Sequence, residues 1–126
     1  PGKLGLPMAA SSGGRRRPAL LRRAEFASRL RFLHEELLEF TTAHLRGDLA
    51  GAADALADLA WVALGTAHYM GLPFDALWAE VRRANMDKAL RTDADPEHKR
   101  GAAEVIVKPE GWKPPAIDRV LERYGA

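Results

Sequence analysis

An all-α fold follows from three features of this chain. Apolar residues recur at threes and fours over long stretches, 23 of the 126 residues are alanine, and glycine or proline marks the joints. Residues 1–18 read as a flexible basic arm closing at Pro18, and residues 19–126 as a single helical domain. The first helix is expected from Ala19 to Leu45, because Leu20, Leu21, Phe26, Leu30, Leu33, Leu37, Leu38 and Phe40 keep helical spacing. Gly47 ends it and Asp48 can cap the next helix. That second helix, Leu49 to Tyr69, is apolar on most of its surface and should be central. Gly65 within it costs about 1 kcal/mol against alanine, which suits a close helix crossing or a ligand pressing on the backbone. Gly71 stops it.

Pro73 sits near the start of a third helix, with Asp75 in its first turn and an end near Leu90. Residues 91–115 form a loop punctuated by prolines and glycines, in which only Val105-Ile106-Val107 suits a short strand. A short helix from Ala116 to Tyr124 closes the chain. Three principal helices cannot cover so apolar a second helix. A bundle completed by dimerisation or tetramerisation is therefore expected.

The chain is 47% hydrophobic and carries a net charge of +2. Residues 1–24 hold six bases and no acid, leaving 13 bases against 17 acids in the rest. Such an arm suits phosphate contact, or simply a solvated segment; Ser11-Ser12-Gly13-Gly14 favours the second. Cysteine is absent, which excludes disulfides and thiol chemistry and suits the cytoplasm (a host's, if phage-encoded). No apolar run reads as membrane-spanning and none as a secretory signal, so no membrane partner is expected.

Five carboxylates stand at helical spacing in two blocks, Glu35-Glu36-x-x-Glu39 and Asp54-x-x-x-Asp58. They lie among Leu, Ala, Phe and Trp rather than among bases, and acids facing a packed core call for a cation. A Glu-Glu-x-x-Glu string by itself usually marks a solvated helix face. Two Asp in an otherwise apolar helix tip the balance, because Asp is a poor helix former. Oxygen ligands of this kind suit Mg²⁺, with Mn²⁺ able to substitute. Two ions about 4 Å apart can clamp a phosphoryl displacement, and a spare carboxylate can deprotonate water. A ferritin-like di-iron site needs Glu-x-x-His, which is absent, and the histidines lack zinc-ligand spacing. His34, His44 and His98 read as surface or capping residues, whereas His68 could face a substrate.

With these blocks in order, the chain resembles the MazG-like, all-α nucleoside triphosphate pyrophosphohydrolases, which include dimeric dUTPases and phosphoribosyl-ATP pyrophosphatases. The resemblance extends through Ala53 to Val62, Leu64-Gly65-Thr66-Ala67, Gly71-Leu72-Pro73, Glu80 to Lys88 and Lys108-Pro109-Glu110-Gly111-Trp112-x-Pro114-Pro115, covering roughly residues 26–122. It implies hydrolysis of an α–β phosphoanhydride with Mg²⁺ or Mn²⁺, with Glu36, Glu39 and Asp58 as core ligands. Glu35 would be a ligand or the activator of water, so Glu35 and Glu36 are the catalytic candidates. The second motif of the family is commonly Glu-x-x-Asp, and Ala55 here stands where that Glu would be; Asp54 is the substitute ligand.

The same resemblance implies that Asn85, Lys88 and Lys108 meet the nucleotide. Lysine is a suitable point charge for phosphate, and Asn offers a donor and an acceptor to a base or sugar edge. Lys88 also suits a plain role as a helix C-terminal cation. Trp61 and Trp112 can stack on a base or cover a sugar, though Trp61 equally suits a core aromatic. Short length, Ala/Arg-rich composition and the late Lys-Pro-Glu-Gly-Trp resemble a phage branch that trims guanine deoxynucleotides. The expected substrate is dGTP or GTP, with dUTP or dCTP next and nucleic acid not an expected partner. A non-catalytic helical interaction or nucleic-acid-binding module is the alternative of another class.

Overall fold

The computed structural model describes residues 16–89 and 108–126. Four helices follow in chain order: α1 (Arg23–Leu45), α2 (Leu49–Tyr69), α3 (Phe74–Ala89) and α4 (Ile117–Arg123). Among the described residues there is no strand, in agreement with the all-α expectation. The strand suggested at residues 105–107, His98 and most of the 91–115 loop lie outside the described residues. The described chain divides into two compact units, residues 16–74 with 125–126, and residues 75–89 with 108–124.

The first unit is built on the α1–α2 hairpin. Both helices end in the same hydrogen-bonded closure around a left-handed glycine, which satisfies carbonyls the helix itself leaves open. At α1, Asp48 N–H donates to Ala43 O (2.9 Å) and Gly47 N–H to His44 O (3.0 Å), with Gly47 at φ +75°. At α2, Leu72 N–H donates to Ala67 O (2.9 Å) and Gly71 N–H to His68 O (3.0 Å), with Gly71 at φ +68°. Asp48 then caps α2 by accepting from Gly51 N–H at 2.9 Å. The missing side chain at Gly51 makes room for it, since a Cβ there would collide with the capping carboxylate.

The start of α1 differs from the sequence expectation by four residues. Ala19 N–H donates to Met70 O at 2.9 Å and Arg16 Nη1 to Tyr69 O at 3.2 Å, so residues 16–22 lie along the C-terminal end of α2. Arg22 is extended (φ −70°, ψ 158°), and the helix begins only at Arg23. A long-range backbone bond outweighs the local periodicity.

The buried residues of α2 are Ala52, Ala55, Gly65 and Ala67, all small, which lets α1 approach closely. The expectation that α2 is central is not met within one chain. Leu56 is 53% exposed and α1 has no buried residue. By length and composition α2 could also cross a membrane, contrary to the expectation that no run reaches that length. Asp58 falls near the middle of that run, however, and an Asp at a bilayer centre costs about 2.5–3.5 kcal/mol.

The second unit holds most of α3, the segment 108–116 and α4, with Ala84 and Val120 buried. Arg83 on α3 grips the segment by donating to the carbonyls of Lys113 and Pro114, each at 3.3 Å. The same guanidinium pairs with Glu80 and Asp87, both at 3.0 Å. Glu80 in turn accepts from the N–H of Ala116, the N-cap residue of α4, at 2.8 Å. The α3 carboxylate thereby satisfies the Ala116 N–H and sets a negative charge at the start of α4, where the helix dipole favours it.

Candidate active site

The five carboxylates lie on the hairpin, whose register is pinned at both ends. At the open end Arg29 donates from Nε to Thr66 Oγ1 (3.0 Å) and from Nη2 to Val62 O (3.1 Å). Its guanidinium also lies 5.4 Å from the Phe32 ring centroid and 5.2 Å from that of Tyr69. The turn bond from Asp48 to Ala43 fixes the other end. Two antiparallel helices with equal rise then set Glu36 level with the α2 turn that carries Ala55 and Asp58.

Glu36 feels the whole cluster. Burial pushes its carboxyl above the ordinary range, and Glu39, Asp58, Asp54 and Glu35 push it further by repulsion, in that order. Its Oε1 is buried with no hydrogen-bond partner. Glu36 and Asp58 are half-buried in the seam, while Glu35, Glu39 and Asp54 are exposed. The sequence reading of five acids facing a core is therefore corrected: two turn into the seam and three stand at its rim. Ala55, only 2% exposed, occupies the seam position itself.

This arrangement fits a divalent cation. An orphaned carboxylate oxygen among four further negative charges is the environment that a bound cation relieves. Among the described residues no three of these side chains already stand close enough to form a finished cage. Trp61, three residues after Asp58, shares its helical face and is 37% exposed, so it is not a buried core aromatic of this chain.

The proposed nucleotide-contacting residues of the second unit also gather. Lys88 Nζ lies 5.1 Å and Lys108 Nζ 5.2 Å from the centroid of the Trp112 ring. The Trp112 indole N–H donates to Ala84 O at 2.9 Å. Asn85 is exposed on α3, one turn before Lys88. A cleft of about 400 Å³ lies beside this group, lined by Arg83, Asp87, Pro109, Gly111 and Trp112 among others. His34, His44 and His68 are exposed.

Sequence reasoning missed the residues that hold these groups in place: Arg29, Thr66, Glu80 and Arg83. Arg29 had one available signal, its position seven residues before Glu36 on the same helical stripe. Glu80 and Arg83 stand inside the stretch from Glu80 to Lys88, with nothing local to reveal that they fasten a segment about thirty residues away.

The sequence profile described as phosphoribosyl-ATP pyrophosphohydrolase matches residues 15–85. No curated protein matches the chain. The match takes in all five carboxylates, Arg29, Thr66 and Asn85, and stops short of Lys88, Lys108 and Trp112. Covering more than half of the sequence, it places the carboxylate hairpin within a known chemistry: this chain belongs to the phosphoribosyl-ATP pyrophosphohydrolase family, a MazG-like, all-α group of nucleotide pyrophosphohydrolases.

Proposed function

We propose that the protein hydrolyses the α–β phosphoanhydride of a (deoxy)nucleoside triphosphate, releasing the monophosphate and pyrophosphate, with Mg²⁺ as cofactor and Mn²⁺ able to replace it. The preferred substrate is dGTP or GTP, with dUTP or dCTP as the runner-up. The observation that carries this reading is Glu36: a half-buried carboxylate with an unpartnered oxygen, its charge opposed by four neighbouring acids.

Glu36, Glu39 and Asp58 would hold the cation, with Asp54 and Glu35 completing the set from the rim. When bound, Mg²⁺ neutralises charge that develops on the phosphate oxygens. Glu35 or Glu36 orients the attacking water and takes its proton, a role open to whichever carboxylate keeps a free oxygen. Lys88 and Lys108 offset phosphate charge as point cations, and Asn85 meets the base or sugar. Trp61 and Trp112 would offer flat apolar faces to a base or sugar. A homodimer or homotetramer is the expected state. Leu38, at 65% exposed, and Leu56, at 53%, lie on helices flanking the acids, and such apolar side chains favour a cover from a second copy.

The test is a substrate panel of dGTP, GTP, dUTP, dCTP and phosphoribosyl-ATP with MgCl₂, read as pyrophosphate released. Product with the wild type, lost in Glu36→Gln and Asp58→Asn, supports the reading. Absence of pyrophosphate from every substrate refutes it, and a salt-sensitive DNA mobility shift alone would point to a binding module.

A further inference from the structure

We infer that Trp112 is a positioning residue that holds Lys88 and Lys108 together as a paired grip for a polyphosphate. The ligand's identity rests on the nucleotide reading above; the geometry does not. Two ammonium groups twenty residues apart in sequence lie 5.1 and 5.2 Å from the centroid of one indole ring. They therefore lie within about 10 Å of each other, and attraction to the ring's negative face offsets their mutual repulsion.

The ring itself is fixed. Its N–H donates to Ala84 O at 2.9 Å, and the residues that follow it are tied to α3 through Arg83, which bonds the carbonyls of Lys113 and Pro114. Beyond them Glu80 holds the Ala116 N–H at 2.8 Å. Trp112 is thus anchored on α3 at one edge while its ring gathers one lysine from α3 and another from the segment. A ring occupied in this way is a cation holder before it is a platform for a base. A polyphosphate, with several negative oxygens along one chain, suits two cations held within about 10 Å of each other.

The experiment compares the wild type with Trp112→Phe and Trp112→Leu, using inorganic tripolyphosphate as probe. In the wild type, the ε-methylene protons of Lys88 and Lys108 should resonate upfield, as protons over an aromatic face do. Trp112→Leu should lose that shift and bind tripolyphosphate roughly tenfold more weakly, whereas Trp112→Phe, which keeps a ring, should stay within about threefold of the wild type. With a hydrolysed nucleotide, Trp112→Leu should raise KM by a similar factor and leave kcat within about twofold. Unshifted lysines in the wild type overturn the inference, a measurement independent of whether any variant folds. So do unchanged affinity in Trp112→Leu, or equal losses in the two variants. If no nucleotide is hydrolysed, the proposed reaction fails while the lysine shifts and tripolyphosphate affinities still judge Trp112.

Discussion

Arg29 Nε donates to Thr66 Oγ1 at 3.0 Å, and this bond joins the two helices that carry every carboxylate of the candidate active site. The Thr66 hydroxyl spends its own proton on Val62 O at 2.7 Å, leaving its lone pairs to receive the guanidinium. Arg29 has no ion-pair partner among the described residues; carbonyl, hydroxyl and aromatic faces take its place. Arg29→Met should therefore cost about 2–3 kcal/mol, the loss of part-buried bonds from a charged donor. Thermal unfolding should show it as a fall of roughly 6–12 °C in Tm. Thr66→Val should cost less, about 1 kcal/mol, and the double variant should cost less than the sum of the two. Strict additivity would mean that the bond does not join the helices.

The field around Glu36 predicts a pH dependence with a definite sign. Its carboxyl is raised, by burial first and then by Glu39, Asp58, Asp54 and Glu35, so the folded protein binds that proton more tightly than the unfolded chain. Without metal, this group lets stability be greatest at or below the ordinary carboxylate range and lowers it as pH rises through the raised value. Glu36→Gln should accordingly stabilise the metal-free protein at neutral pH, modestly because solvent screens the repulsion. The gain should vanish in acid. Mg²⁺ at a hundred times its Kd should stabilise the wild type by about 2.7 kcal/mol and the variant far less. Calorimetric scans from pH 4 to 8, with chelator and with MgCl₂, read both effects. A variant less stable than the wild type at neutral pH would contradict the repulsion.

Where the chain turns was legible in the sequence, because Gly47, Asp48, Gly71 and Pro73 act through local backbone geometry. α2 runs from Leu49 to Tyr69 as expected for that reason. The start of α1 was not legible, since the bond from Ala19 to Met70 O depends on a residue 51 positions away. The same distinction divides the site. Carboxylate spacing exposed the acids, resemblance pointed to Lys88 and Lys108, and aromatic character marked Trp112. Their meeting on one indole ring depends on how 108–116 docks on α3, which no local pattern encodes. Burial was misjudged for a related reason: apolar content announces a face that needs covering, and in α2 the residues covered within one chain are only alanines and a glycine.

Glu80 offers a second titration, opposite in sign. The Arg83 guanidinium, and after it the Ala116 N–H, hold its carboxyl below the ordinary range. Its contribution is therefore complete above the ordinary carboxylate pKa and is lost as pH falls through the lowered one. Hydrogen exchange at the Ala116 amide should stay protected from neutral pH down through mild acid and lose protection below that. Glu80→Gln should remove the pH dependence and raise exchange at Ala116 roughly tenfold even at neutral pH. Equal protection in variant and wild type would show that α4 is anchored by something other than this carboxylate.

Ala55 allows the sharpest test of the acidic seam. It is 2% exposed on the turn of α2 opposite Glu36, at the position where the resemblance noted in the sequence implies the Glu of a Glu-x-x-Asp pattern. Asp54, adjacent in sequence, is exposed, so this part of α2 carries its carboxylate at the rim rather than at the buried position. Ala55→Glu should restore an interior carboxylate. Without metal it should destabilise by about 1–3 kcal/mol, since it adds bulk and charge at a close helix contact already crowded with acids. With Mn²⁺ much of that loss should return, and titration calorimetry should show tighter binding or a higher stoichiometry than in the wild type. Asp54→Asn should move binding the other way by a smaller amount, as suits a ligand at the rim. Destabilisation of Ala55→Glu that Mn²⁺ leaves untouched would show that the seam between α1 and α2 does not receive a cation.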